Sequence, residues 1–231
     1  ILVCKLLNVK IVTRSNSSPS GWTQNSIKNF IFKKIFLISD KIIVNSIEFQ
    51  KEFRKKFNVE TICIYNPLNK KEILHKSKNN INLSFFKKNN KLKILNIGRF
   101  TDQKDHFTLL QSAKILKKKY NLNFVLLIMG RGRNEKKIKS FIKKNNLRRN
   151  IKIIGFKKNP YKYIRQCNLF VLSSKFEGLP NVLLEAITLK KFVISSNCPT
   201  GPKEILSNGK GGLLFKTGDQ NDLAKKIIYY C

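Results

Sequence analysis

The chain has 231 residues, enough for one large domain or two small ones, and 42% of them are hydrophobic, the share of an ordinary packed core. Its 47 Lys and Arg against 13 Asp and Glu give a formal charge of +34, which points to an anionic partner: nucleic acid, an acidic membrane face or a phosphorylated substrate. The basic residues are spread through nearly every segment, however, and the Lys, Asn and Ile richness is equally what compositional drift toward an AT-rich genome produces. Cys4, Cys63, Cys167, Cys198 and Cys231 show no C-x-x-C and no spacing with His75 or His106 that suits a metal cluster. Cys63, Cys167 and Cys198 lie in or beside apolar runs, where free thiols are buried as small hydrophobes in a reducing, cytoplasmic setting. No apolar run reaches the length of a membrane span.

In chain order, residues 2–7 read as the tail of a helix. With Ile1 in first place, the sequence is expected to be a piece lacking its start, and the closing helix at 223–230 is expected to be cut as well. A β-branched strand follows at 10–14, then a Ser/Pro/Gly loop at 15–21, and Trp22 opens a helix that runs to Phe36. The spacing predicts a strand at 41–45, Ser46 as helix cap, a helix at 47–57 and a strand at 59–65 ended by Asn66-Pro67. This alternation is the rhythm of a parallel, doubly wound sheet. Residues 68–91 are polar and rich in Lys and Asn, with at most a turn or two of helix near 71–76, and read as a linker. A second set then begins: strands at 92–97, 124–129, 151–154, 169–172, 192–195 and 212–215 alternate with helices at 105–118, 135–144, 161–165, 203–206 and 219–230 and with a further helix starting at Pro180.

The stretch 173–186, Ser-Ser-Lys-Phe-Glu-Gly-Leu-Pro-Asn-Val-Leu-Leu-Glu-Ala, joins a buried strand to a helix that starts at Pro180. Val182, Leu183, Ala186 and Ile187 are expected to face the core, with Asn181 and Glu185, four apart, on the open side. Glu177 lies in the turn before. Free N–H groups at a helix start attract phosphate, and carboxylates accept from sugar hydroxyls. Gly98-Arg99 with Lys104 lies past the strand at 92–97; Gly permits a sharp turn, and the two cations can grip a diphosphate. Gly130-Arg131-Gly132 reads locally as a tight turn after its strand, and Phe156 after Gly155 is as readily a packing residue as a binding one. A rigid Pro/Gly loop at 197–202 precedes a helical start at 203–206. His106 is expected on a helix surface, and neither it nor His75 is given a role.

The pattern E-G-L-P-N-x-x-x-E-A at 177–186, with G-R-x-x-x-x-K at 98–104 and G-x-G at 130–132 upstream in that order, resembles the signature of the family-4 retaining glycosyltransferases, enzymes of the GT-B fold. The resemblance spans roughly 10–228 and is densest over 92–215. It implies an α/β chain of GT-B type with two Rossmann-like, doubly wound parallel-sheet domains, the first incomplete. The expected division is a remnant of the acceptor-side domain at 1–67, the linker at 68–91 and the donor-binding domain at 92–231.

By the same resemblance Arg99 and Lys104 clamp the diphosphate next to Gly98, Glu185 takes the ribose hydroxyls, and Glu177 with the turn Gly178, Leu179 and Asn181 takes the sugar. Arg99, Lys104 and Glu185 are therefore expected around one hollow. Gly130 and Gly132 approach the nucleotide, although Gly-Arg-Gly departs from the commoner Gly-Asp-Gly-Pro, and Phe156 and Lys157 run beside the base. The form C-P-T-G-P-x-E-I-L at 198–206 is similar to a subgroup that adds hexoses or N-acetylhexosamines to surface polysaccharides and glycan-lipid intermediates, which implies a UDP-sugar donor. Arg14 and Asn16 face the cleft from the acceptor side, at a place where related enzymes often present a His. No cofactor or metal is expected, because side chains and a helix start supply the positive charge. The expected partners are the donor, a glycan or lipid-linked acceptor and an anionic membrane surface, with cytoplasmic, peripheral localisation at the inner face of the membrane and no nucleic acid. The alternatives are another GT-B enzyme such as a nucleotide-sugar epimerase, a basic nucleic-acid-binding module, and an inactive fragment.

Overall fold

The computed structural model describes residues 2–16, 19, 26–81, 84–86 and 90–231. The start of the second expected helix, at Trp22, lies outside the described residues. The first part of the chain holds α1 (Leu2–Leu6), β1 (Val12–Arg14), α2 (Ser26–Ile38), β2 (Lys41–Val44), α3 (Ile47–Phe57) and β3 (Ile62–Cys63). Its three strands are parallel in the order β1-β2-β3. Ser46 caps α3 by accepting from Phe49 N, and Asn58 ends it in the left-handed conformation. Phe49, Phe53 and Phe57, at steps of four, make the buried stripe of α3. With Phe36 they form an edge-packed aromatic core at ring separations of 4.9–5.5 Å. The strand expected over 59–65 shrinks to Ile62–Cys63, because β2 ends at Val44 and offers the following residues little to pair with.

The stretch 68–91 carries α4 (Lys70–Ser77), capped by Asn69. This helix packs against the helices Tyr161–Gln166 and Asn181–Thr188 of the second part, and Ile73, Ile81 and Phe86 join that part's core. The second part continues with β4 (Leu92–Ile97), α5 (His106–Lys118), β5 (Phe124–Met129), α6 (Glu135–Lys144), β6 (Ile151–Ile154), α7 (Tyr161–Gln166), β7 (Leu169–Leu172), α8 (Asn181–Thr188), β8 (Phe192–Ser196), α9 (Pro202–Ile205), β9 (Leu213–Phe215) and α10 (Gln220–Tyr230). All six strands are parallel. The continuous apolar run of β5 is buried along its whole length, as a strand covered on both faces requires. Each fully buried Leu or Phe contributes roughly 1.5–3 kcal/mol.

On α8 the buried stripe runs Leu183, Ala186, Leu189 in steps of three. Ile187, expected in the core, stands about 100° further round the helix from Ala186 and is 37% exposed. His106, expected on the surface, is 2% exposed. Asp105 enters α5 in the left-handed conformation and caps Thr108 N, which turns His106 inward with its ring edge-on to Phe100 at 5.1 Å.

The strand order β6-β5-β4-β7-β8-β9 sets the functional geometry. Successive connections run outward from β4 to one side, then cross back to β7 and run to the other side. In such a sheet the crevice for ligands opens at the carboxyl ends of the two strands where the direction reverses. Those ends lead into 98–104 after β4 and 173–180 after β7, the two richest motifs of the sequence.

Candidate functional site

Two hollows meet at the end of β4. The first, about 350 Å³, is lined by Ile97, Gly98, Arg99, Met129, Gly130, Arg131, Phe156, Lys157 and Pro160. Its floor is apolar and its rim carries three cations. Phe156 is 63% exposed, which removes core packing as its role, and the Arg131 guanidinium lies 5.7 Å from its ring. A flat ring, apolar walls and a positive rim suit a planar heterocycle joined to an anion.

Two glycines shape this hollow. The loop after β4 is stitched to the loop after β5 by Gly98 N to Met129 O and Phe100 N to Arg131 O, each 3.0 Å. A Cβ on Gly130 would stand 1.9 Å from Gly98 O, and one on Gly132 2.7 Å from Phe100 O. Both glycines thus serve the close approach of two loops. Gly130 also lines the hollow, whereas Gly132 does not.

The second hollow, about 610 Å³, shares Ile97 and Gly98 with the first. Its remaining walls are Lys104, Glu177 and Leu179–Val182 from the second part, and Arg14, Asn16, Asn45, Asn66 and Pro67 from the first. The N-terminus of α8 opens here without a side-chain cap. Lys104 Nζ donates to Glu177 Oε1 at 2.5 Å, and Ser174 Oγ donates to the same oxygen. Glu177 is 5% exposed and the Lys104 side chain 16%, so the ion pair is largely, not fully, buried, and the Glu177 backbone is held by Thr200 Oγ1 and by Pro199 O. The turn fits tightly: a Cβ on Gly178 would stand 2.3 Å from Asn16 O.

The structure therefore brings Gly98, Arg99, Gly130, Phe156 and Lys157 together in one hollow, and Gly98, Lys104, Glu177, Leu179 and Asn181 with Arg14 and Asn16 in the adjoining one. Gly178 stands behind the second against Asn16. Arg99 is exposed, with no acid partner among the described residues. Glu185 lines neither hollow. It is half-buried on α8, where burial raises its carboxyl above the usual range. Its charge is felt by Tyr161, the neighbour of Pro160 in the first hollow's wall. His106 lies beside Lys104; burial first and that charge second push its imidazole down to about 4, and neither ring nitrogen has a partner among the described residues.

Sequence reasoning passed over Arg131, Asn45, Asn66 and Pro160. Asn45 had a readable signal, since it closes a strand and so stands at the carboxyl edge of its sheet. Asn66 and Pro160 carry no local signal, and Arg131 was set aside with an atypical G-x-G.

A family model described as glycosyl transferases group 1 matches residues 77–231. An uncharacterized glycosyltransferase of Methanocaldococcus jannaschii is 34% identical over 224 residues, covering 87% of this chain and 53% of its own length. The N-acetylgalactosamine-N,N'-diacetylbacillosaminyl-diphospho-undecaprenol 4-alpha-N-acetylgalactosaminyltransferase of Campylobacter jejuni is 28% identical over 203 residues, covering 86% of this chain and 53% of its own. The chain thus spans about half the length of these curated relatives. Among solved structures, Anabaena HepE with UDP and glucose superposes with a TM-score of 0.82 at 19% identity over 100% of this chain and 64% of that one. Staphylococcus aureus TarM gives 0.79 at 22% identity, over 96% and 43%. These likenesses establish the GT-B fold, and with two-thirds of its length inside the family model the chain belongs to the group 1 glycosyl transferases.

Proposed function

We propose that the chain is the donor-binding portion of a retaining glycosyltransferase that moves a hexose or N-acetylhexosamine from a UDP-sugar to a growing surface glycan or lipid-linked oligosaccharide. The observation that carries this reading is the pair of hollows joined at Gly98, an apolar one with a cationic rim against a polar one holding Lys104 and Glu177. Uracil takes the face of Phe156, with Lys157 beside it. The diphosphate passes over Gly98, between Arg99, which has no acid partner among the described residues, and Lys104, whose ammonium is shared with Glu177. Glu185 takes the ribose hydroxyls, and Glu177 with the turn 178–181 takes the sugar.

When the bond from the anomeric carbon to the diphosphate oxygen breaks, its electron pair leaves with UDP and negative charge grows there. Fixed cations stabilise that charge in the transition state. The acceptor oxygen bonds the anomeric carbon from the same face, and its proton passes to the departing phosphate oxygen. Arg99, Lys104 and the start of α8 supply positive charge to the diphosphate without a metal ion. Arg14 and Asn16 lie on the acceptor side. The net charge of +34 suits docking at an anionic cytoplasmic membrane face; no helix among the described residues is long and apolar enough to cross one. The reading is supported by the name of the C. jejuni relative, an N-acetylgalactosaminyltransferase acting on a diphospho-undecaprenol-linked sugar, and by the UDP and glucose in the HepE structure.

Product analysis with UDP-glucose and UDP-N-acetylglucosamine over a panel of neutral glycan acceptors tests it. Free UDP together with sugar added in the donor's anomeric configuration is expected. An isomerised donor with no acceptor product would instead make the protein an epimerase.

A further inference from the structure

The turn that carries Glu177 belongs to no helix or strand, since it lies between the end of β7 and the start of α8. Its backbone is held by the loop after β8. Pro199 O accepts from Glu177 N at 3.3 Å, and Thr200 Oγ1 donates to Glu177 O at 2.5 Å. Gly201 closes on the same turn, so tightly that a Cβ there would stand 2.1 Å from Gly178 O.

The loop is itself strained. Thr200 has φ 60° and Gly201 φ 87°. A glycine takes such angles freely, but a β-branched residue avoids them and stays there only where its surroundings hold it. One of those holds comes from the first part of the molecule. Glu48, in the first turn of α3, accepts from Gly201 N through Oε2 at 3.2 Å. Its half-buried carboxylate lies among Glu204 and Lys203 of α9 and Lys51 of its own helix. Neither Glu48 nor Thr200 lines the two hollows of the cleft; both stand behind them, on a third of about 490 Å³. Contacts thus run in series from α3 to Gly201, through Thr200 to the backbone of Glu177, and through the Glu177 carboxylate to Lys104.

We infer that Glu48 is a positioning residue for Glu177: it holds the loop 199–201 in its left-handed form, and that loop places the Glu177 carboxylate in the cleft. The seating of the first part is thereby coupled to the Glu177–Lys104 pair of the second. The inference rests on the nucleotide-sugar reading for what Glu177 does in the cleft, but not for the relay that holds it.

The test follows amide exchange by NMR, and UDP release from UDP-glucose in the presence of neutral glycan acceptors. In Glu48→Ala the Glu177 amide is expected to exchange at least about tenfold faster, the effect of one lost bond to a charged acceptor, while the Ile47 amide, held by Glu204, stays as in the wild type. Turnover should fall about tenfold in kcat with a smaller change in KM, because the contacts of UDP with Arg99 and Phe156 are untouched. Glu48→Gln keeps an oxygen for Gly201 N and should restore both readouts; were Glu48 only a favourable charge at the start of α3, Glu48→Gln would behave as Glu48→Ala does. Thr200→Val keeps the branched shape but breaks the next link, so it should match Glu48→Ala, and the double variant should be no worse than either alone. The inference is overturned if Glu48→Ala leaves the Glu177 amide at its wild-type rate, if Glu48→Gln restores nothing, or if the two substitutions act independently. Should the wild type release no UDP, the nucleotide-sugar reading falls, and the exchange arm decides the relay alone.

Discussion

Lys104 and Glu177 form a largely buried ion pair, and this decides how either can be studied. Removing one partner strands a charge out of water, which costs about 3–5 kcal/mol, whereas replacing both by neutral groups of similar size is close to neutral. Lys104→Ala is therefore expected to lose stability on that scale in urea unfolding, and Lys104→Met with Glu177→Gln to recover most of it; equal loss in both would show that the pair is not coupled. His106 gives a pH signature. Its folded value of about 4 lies below the ordinary 6.5, so between these limits the unfolded chain binds a proton that the native state refuses. Stability due to His106 is complete above pH 6.5 and falls as the pH drops toward 4, by on the order of 3 kcal/mol. Glu48 and Glu185, whose carboxyls burial raises, act with the opposite sign. The difference between wild type and His106→Leu isolates the imidazole: the wild type should weaken relative to the variant on acidification, and parallel stability curves would refute this. The burial of His106 was not legible, because it follows Gln-Lys-Asp and depends on the left-handed turn at Asp105.

Among the elements, α3 and the start of α9 hold each other. The Glu204 carboxylate accepts from Ile47 N at 3.2 Å, Glu48 N at 3.1 Å and Tyr65 Oη at 2.6 Å, while Glu48 Oε2 accepts from Gly201 N at 3.2 Å. The bond to Glu204, followed by burial, pushes the Tyr65 phenol up to about 12. Each acid thus sits at the other helix's positive end. Glu204→Ala should cost about 1–2 kcal/mol, the scale of a lost cap, and should abolish hydrogen-exchange protection at Ile47 and Glu48; retained protection would refute the interlock. Gly130→Ala should part the loops after β4 and β5 and remove UDP binding, because the new methyl would meet Gly98 O. Long apolar strands such as β5, and helices bounded by Ser46 or Asp219, could be read residue by residue, since their signals are local. β3 could not, because an edge strand is only as long as its neighbour allows. Nor could the packing of α4, whose short polar sequence hides Ile73 in another element's core.

At the scale of the molecule, three parallel strands beside six give a cleft whose floor is the reversal point of the larger sheet. The motifs at 98–104 and 177–186 could be placed there from sequence because both follow strands. The amides that complete the cleft could not, since Asn66 meets Asn181 across 115 residues of chain. Glu185, expected around the same hollow as Arg99 and Lys104, lines neither hollow, and its part in binding rests on experiment. If the +34 charge marked a nucleic-acid module instead, affinity for random DNA would fall steeply with salt and be indifferent to UDP. The most direct measurement is UDP titration by calorimetry on wild type, Arg99→Ala and Glu185→Ala, with ADP and GDP as controls. The account predicts that the wild type prefers UDP and that each variant binds it at least about tenfold more weakly, the loss of one charged hydrogen-bonding partner; equal UDP binding by all three proteins would contradict it.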